Sequence, residues 1–421
     1  MGFVTGVVAG GLGHLLLGPE HAGLLRAVEV AEPVGKLFLR ALLVCVIPLV
    51  VSSLVLGVTG LGDLKKLGRI GSKTLLMTLV LSSISVCVGL AAANLIEPGA
   101  HLDEDTRQAL IARHSQKAVD VTDKAKKADR PLSESIVEVI PDNVVGAMAK
   151  SPPDMLGLML FCLFFGTALA LQKEEVKKPV VDVAAGVFAA SSTMVGLLMK
   201  AAPVGVACLL FAMTSRFGFG VLVTLGWYVG CVIGALLFHQ LVVYGLALKL
   251  FGGMSPIEFL KRAQPALLTA FSTSSSNATL PTALEVTQTR LGVPAPIASF
   301  VLTVGATANQ NGTALFEGVT VLFLAQVFGV ELTIAQQLML LVMAVVAGVG
   351  TAGVPAASLP FIAIVLAQVG VPPEALAIIL GVDRLLDMCR TVVNVSGDMA
   401  VAVVIAHSER TSTAATAAPS P

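Results

Sequence analysis

Residues 381–406 read GVDRLLDMCRTVVNVSGDMAVAVVIA, an apolar segment that carries Asp383, Asp387, Arg390, Asn394 and Asp398. These polar residues are spaced 4, 3, 4 and 4 apart. At about 100° per residue of helix, all five fall within roughly 80° of arc and share one face. The segment is long enough to cross a bilayer's hydrocarbon core, which takes about 20 residues. An ionisable side chain at that depth costs about 3 kcal/mol or more, so its presence points to function. A structural salt bridge between helices would account for one Asp–Arg pair, but not for three carboxylates around one guanidinium. The excess negative charge must be completed by a metal ion, a proton or a substrate ammonium. Arg390 is a planar fork suited to bidentate recognition of a carboxylate. A ligand bearing both an ammonium and a carboxylate satisfies both halves.

The rest of the chain agrees with a membrane setting. Of its 421 residues, 55% are hydrophobic and 13% charged, and mean hydropathy is +0.88. Soluble chains average about 25% charged residues, so an ordinary soluble enzyme is excluded. The 27 basic residues balance 27 acidic ones and form no basic stripe, which excludes a nucleic-acid binder. Cys45, Cys87, Cys162, Cys208, Cys231 and Cys389 sit inside apolar runs with no CxxC or Cys/His pattern, as small buried side chains do.

Apolar regions run at 3–18, 33–61, 70–96, 155–171, 180–213, 219–250, 294–328 and 373–407. The N-terminus has no basic leader and reads as a first span rather than a cleaved signal peptide. Segment 97–154 is charged, mixed in sign and extramembrane. Lys65, Lys66, Arg69 and Lys73, then Lys173, Lys177 and Lys178, then Lys249, Lys261 and Arg262 put three short loops on the cytoplasmic side. The stretch 19–32, with Arg26 against Glu20, Glu29 and Glu32, falls outside. Alternation then places both termini in the cytoplasm and 97–154 outside.

Residues 301–322, VLTVGATANQNGTALFEGVTVL, run from apolar helix into GATANQNGT and out again. Asn and Gly in mid-helix predict a break whose freed carbonyls can serve a cation. Gly305, Thr307, Asn309, Asn311 and Thr313 are the candidate oxygen donors; a polar packing interface between helices is the plainer alternative. Glu317 lies four residues further on. A carboxyl buried without a counter-charge favours its protonated form, which suits a proton carrier; a structural hydrogen-bond partner is the other reading. FSTSSSNATLPTAL at 271–284 and GVGTAGVPAASLPF at 348–361 each place small or polar residues and a Pro inside an apolar stretch. Each predicts a re-entrant hairpin whose tip offers helix N-termini to an anion. Two such segments flanking a broken helix are the mark of an inverted-repeat secondary transporter.

SSSNATLPT, GATANQNGTALFEG, GTAGVPAAS and DRLLDMCRTVVNVSGD, in that order, closely resemble the sodium-coupled glutamate/aspartate symporters of the dicarboxylate/amino acid:cation family. That family includes the archaeal aspartate transporters and the animal excitatory amino acid transporters. The first half agrees in span pattern and in KLFLRALLVCVIPLVVSSLVLGV. The resemblance implies an all-α membrane protein of eight transmembrane helices and two re-entrant hairpins, working as an elevator. It further implies a homotrimer in the plasma membrane, with sodium as coupling ion, a proton as a second, and no other cofactor. Residues 1–69 and 155–215 would form a scaffold, and 70–97 and 216–407 a transport domain. Residues 98–154 would be an extracellular loop and 408–421 a flexible tail.

Residue by residue, Arg390 matches the family's arginine for the substrate side-chain carboxylate, and Asp387 the acid that holds its ammonium. Asn394, Thr313, Thr391, Ser275, Ser276, Gly353 and Val354 match groups around the substrate. Gly305, Asn309, Asn394 and Asp398 resemble one sodium site. Thr307, Gly348, Val349 and Thr351 resemble a second through their backbone carbonyls. Glu317 matches the proton-carrying glutamate of the animal transporters.

The chain also departs from the family. Where the family reads NMDG, this chain has Asn309-Gln310-Asn311-Gly312, and the third span offers Leu81-Ser82 where a hydroxyl pair is usual. Both changes strike a third sodium site, Asn311, Ser82 and Leu81, which loses a charge and an oxygen. A shift of register that brings in Ser82, Ser83 or Ser85 is the alternative. Ser274 and Met388 stand where archaeal and animal members respectively carry a second arginine.

The leading function is symport of acidic amino acids. A carrier of neutral amino acids or of C4-dicarboxylates shares the fold, but Arg390 opposes the first and Asp387 the second. An ion channel is a weaker rival. An enzyme finds no GxSxG or HExxH to work with.

Overall fold

The computed structural model describes residues 2–62, 69–102, 108, 140–150, 154–218, 220–350 and 358–417. Apolar runs that must satisfy their own backbone fold as helices, and the described residues contain no strand. Helices α1 (Gly2–Leu17), α2 (Ala22–Val44) and α3 (Val46–Gly62) come first. They are followed by α4 (Arg69–Ile96), α5 (Met155–Ala170) and α6 (Glu174–Phe217). The next run is α7 (Gly220–Phe238), a π turn (His239–Val243) and α8 (Tyr244–Phe251). Three pairs come next. They are α9 (Pro256–Thr273) with α10 (Ser276–Thr289), α11 (Ala295–Ala308) with α12 (Asn311–Val327), and α13 (Ile334–Gly350) with α14 (Ser358–Gln368). Last is α15 (Leu380–Ala417). Among the described residues, Arg69–His101, Glu174–Leu198, Val223–Phe251 and Leu380–Arg410 are long and apolar enough to cross a bilayer.

The stretch 19–32, expected as a connection, is helical from Ala22. Leu24 and Val28, four apart, are buried, and Glu32 is neutralised by Lys36 at 2.7 Å and Arg216 at 2.9 Å. Apolar spacing and paired charge extend the helix where composition reads a loop. α6 has 44 residues, about twice the length a hydrocarbon core needs. Its first turns are charged and project beyond the apolar part.

Two packing groups organise the helices. α6 lies against α1, α2 and α3, and α3 against α5. In the second group α12 packs on α4 and α13, and α15 on α9, α10, α11 and α12. α13 reaches across to α3. α12 is buried on nearly every side, so it is a core helix rather than an amphipathic one.

Side-chain bonds show which ends lie together. Arg69 and Lys73, at the start of α4, hold Glu409 of α15 at 2.5 and 2.9 Å. Arg410 donates to the Gly292 carbonyl, and Arg262 of α9 to the Arg290 carbonyl. The base of the α9–α10 hairpin therefore shares an end with the last turns of α15. At the opposite end, Asn94 of α4 donates to Gln337 of α13 at 2.9 Å, and the Gly99 N–H donates to Gln326 of α12. The α13–α14 pair is thus rooted at the other end from α9–α10.

Candidate functional site

The break between α11 and α12 faces the polar side of α15, and the two together build the site. Arg390 is almost fully buried. Its Nε and Nη2 both lie 2.9 Å from Asp387 Oδ1, and Nη1 lies 3.5 Å from Asp383 Oδ1. One face of the guanidinium rests on Phe316 of α12, 4.3 Å from the ring centroid. Two carboxylates therefore flank one cation that the Phe316 ring holds flat. Asp387 also accepts a bond at its backbone carbonyl from Thr391 Oγ1, at 2.7 Å.

Asn394, one turn further along α15, closes the break. Its Oδ1 accepts the backbone N–H groups of Gly312, at 2.7 Å, and Thr313, at 3.3 Å. These belong to the first turn of α12, where N–H groups have no intrahelical partner, so Asn394 caps α12 from a neighbouring helix. Its Nδ2 donates to Gln310 Oε1 at 2.5 Å and to Thr313 Oγ1 at 3.1 Å. Glycine at 312 lets the chain lie against the Arg390 carbonyl, which a Cβ would overlap.

A second cluster lies one turn on. Asp398 Oδ1 accepts from Asn309 Nδ2 at 2.8 Å. The Asn309 Oδ1 is buried and, among the described residues, has no hydrogen-bond partner. Gly305 lies against the Asp398 carboxylate, where any side chain would collide. One carboxylate and one unsatisfied amide oxygen beside a helix end form a hard-oxygen donor set, suited to an alkali cation rather than a transition metal.

The other candidates divide into those the structure gathers and those it leaves apart. Ser275 caps α10 through the Ala278 N–H at 3.2 Å, and Ser276 is buried beside it; α10 as a whole packs on α15. Ser274 reaches the tip in a left-handed conformation, φ 52°, with its hydroxyl buried. Thr307 is exposed and donates to the Val304 carbonyl. Gly348 packs near the Gln310 carbonyl at the end of α13, with Val349 next to it. Thr351, Gly353 and Val354 lie outside the described residues. Glu317 is fully buried in α12, and among the described residues neither carboxyl oxygen has a hydrogen-bond partner.

Ser82 donates to Asn311 Oδ1 at 2.5 Å, and Ser85 to the Asn311 carbonyl. Ser83 faces out and bonds its own helix at Leu79. Leu81 is buried in the apolar core. Sequence reasoning passed over Tyr244, Phe316 and the role of Gln310. The signal for Tyr244 was available: a Tyr inside an apolar span needs a partner for its hydroxyl.

Helices broken around a buried, charged face define a secondary transporter of a multi-pass membrane protein type. The chain belongs to the sodium:dicarboxylate symporter family, which it matches over residues 1–408. It is 35% identical over 409 residues to the proton/sodium-glutamate symport protein of Bacillus subtilis (strain 168), covering 97% of this chain and 93% of that one. It is 34% identical over 382 residues to the proton/glutamate-aspartate symporter of Escherichia coli (strain K12), covering 91% and 86%. Against the C4-dicarboxylate transport protein 2 of Mesorhizobium japonicum, identity is 30% over 384 residues, covering 90% and 84%.

Proposed function

We propose that the protein is a secondary active symporter of acidic amino acids, driven by sodium with a proton as second coupling ion. The observation that carries this reading is the Asp387–Arg390 pair, 2.9 Å apart and buried. Asp387 neutralises the arginine within the site itself. A ligand that opens the pair and gives Arg390 a carboxylate and Asp387 an ammonium together replaces what each buried group loses, while Asp383 stays 3.5 Å from the guanidinium. Glutamate and aspartate do both. Thr313, Thr391, Asn394, Ser275, Ser276, Gly353 and Val354 would surround the remaining groups of the substrate.

Sodium would bind at Asp398, Asn309, Gly305 and the Asn394 carbonyl, and again at Thr307, Gly348, Val349 and Thr351. Glu317 would carry the proton. No bond is made or broken in the substrate. The two packing groups support a scaffold and a moving body that slides as an elevator, with α13–α14 as the outer gate, in a homotrimer in the plasma membrane. The cluster of Arg69, Lys73, Arg262 and Arg410 at one end supports a cytoplasmic placement of that end, and of both termini.

C4-dicarboxylate transport is the second reading, favoured by the Mesorhizobium relative. A plain dicarboxylate offers nothing to Asp387. Competition binding to the purified protein in sodium decides between them. Aspartate and glutamate should displace labelled aspartate far better than succinate or serine, and the reverse order would overturn the assignment.

A further inference from the structure

Asn311 opens α12 and is fully buried at the crossing of α4, α8, α12 and α15. All of its polar side-chain atoms are engaged. Nδ2 donates to Tyr244 Oη at 2.8 Å, and Oδ1 accepts from Ser82 Oγ at 2.5 Å. Its carbonyl accepts from Ser85 Oγ. Tyr244 Oη in turn donates to the Val393 carbonyl of α15, 3.2 Å away. This fixes the amide's orientation: a hydroxyl that gives its only proton to Val393 must accept from Asn311, so nitrogen faces it.

The knot contains no formal charge. A buried cation needs several oxygens with free lone pairs and something to offset its lost hydration. Here each Asn311 oxygen already accepts from a hydroxyl, and its Nδ2 faces Tyr244 as a donor that cannot ligate a cation. Leu81 adds only apolar surface. The Asp398–Asn309 cluster is the opposite case, with a carboxylate and an orphaned amide oxygen. Gln310 extends the contrast, tying the break to the Ala306 carbonyl at 3.0 Å and to Asn394.

We infer that at this crossing hydrogen bonds stand in for a coupling ion: the Ser82–Ser85–Asn311–Tyr244 knot orders the break without sodium and lowers the number of sodium ions moved per substrate. The inference rests on the reading of the protein as a sodium-coupled symporter. It makes Tyr244 a positioning residue, acting on the substrate helix through Val393, next to Asn394. The neutral knot also leaves one charge fewer to be compensated as the site crosses the bilayer.

The test uses the full-length protein, purified and reconstituted. Labelled sodium and labelled aspartate fluxes give the wild-type coupling ratio, and the sodium dependence of aspartate binding gives a slope. Both should be about two or below, because linkage counts the ions that bind with the substrate. Asn311→Asp places a charge in the knot that calls for a cation. Its slope should rise by about one, and sodium without substrate should raise its Tm more than it raises that of the wild type. Tyr244→Phe should weaken aspartate binding while leaving the slope unchanged. A wild-type ratio or slope of about three overturns the inference without touching the symporter reading, and needs no variant to fold. A folded Asn311→Asp protein with wild-type slope and Tm response also overturns it. Complete absence of sodium-dependent uptake overturns the symporter reading and the inference with it.

Discussion

Asp387 and Arg390, three residues apart on α15, meet at 2.9 Å through two guanidinium nitrogens on one carboxylate oxygen. The groups assigned to the two ends of the substrate thus lie within hydrogen-bond reach of each other. On the proposed reading, selectivity rests on offering a carboxylate to Arg390 and an ammonium to Asp387 at once.

Arg390→Ala removes the cation and leaves Asp387 and Asp383 facing each other. Breaking a buried pair costs about 3–5 kcal/mol, so affinity for aspartate and glutamate should fall by more than about a hundredfold. Small neutral amino acids should still bind weakly. Equilibrium binding to the purified variant measures this, and unchanged aspartate affinity would remove Arg390 from the site.

Asp387→Asn should weaken amino acids far more than compounds without an amino group. The ratio of succinate to aspartate affinity should rise about tenfold or more, the scale of one lost charge-assisted bond. Equal losses for both ligands would show that Asp387 does not hold the ammonium.

Asp398→Asn removes the formal charge beside the orphaned Asn309 oxygen. The sodium concentration for half-maximal aspartate binding should rise about tenfold or more, since a neutral site offsets less of the ion's dehydration. Lithium and potassium titrations provide the control. A variant with the wild-type sodium midpoint would place the ion elsewhere.

Glu317 bears on the proton. Wild-type uptake should fall as pH rises and the loading of a buried carboxyl becomes harder. Glu317→Gln mimics the loaded form permanently, so its uptake should be flat with pH, with exchange surviving better than net transport. The wild-type pH profile in that variant would leave Glu317 a structural residue.

The charged face of α15 was legible because helical spacing is fixed, and charged residues at spacings of three and four in an apolar run have few other meanings. The break at Asn309–Gly312 was legible for the same local reason: amides and glycine interrupt a helix. What the residues could not reveal were partners distant in sequence. Ser82 meets Asn311 across 229 positions and Tyr244 meets it across 67, and only tertiary packing sets these pairings. Counting along the third span gave Leu81-Ser82 as the relevant pair. The helix turns Ser82 and Ser85, three apart, toward Asn311 and gives Leu81 to the core. The start of α2 was missed because Glu29 and Glu32 look like a loop until Lys36 and Arg216 are seen to neutralise Glu32.

The central claim is that an inward sodium gradient drives acidic amino acids through this chain. Uptake of labelled glutamate, aspartate, serine and succinate into proteoliposomes, with sodium and proton gradients imposed separately, tests it most directly. Glutamate and aspartate should accumulate above their external concentration when sodium is high outside, more so with an inward proton gradient, while serine and succinate stay near equilibrium. Accumulation of succinate in preference to both amino acids, or aspartate uptake indifferent to sodium, would contradict the account.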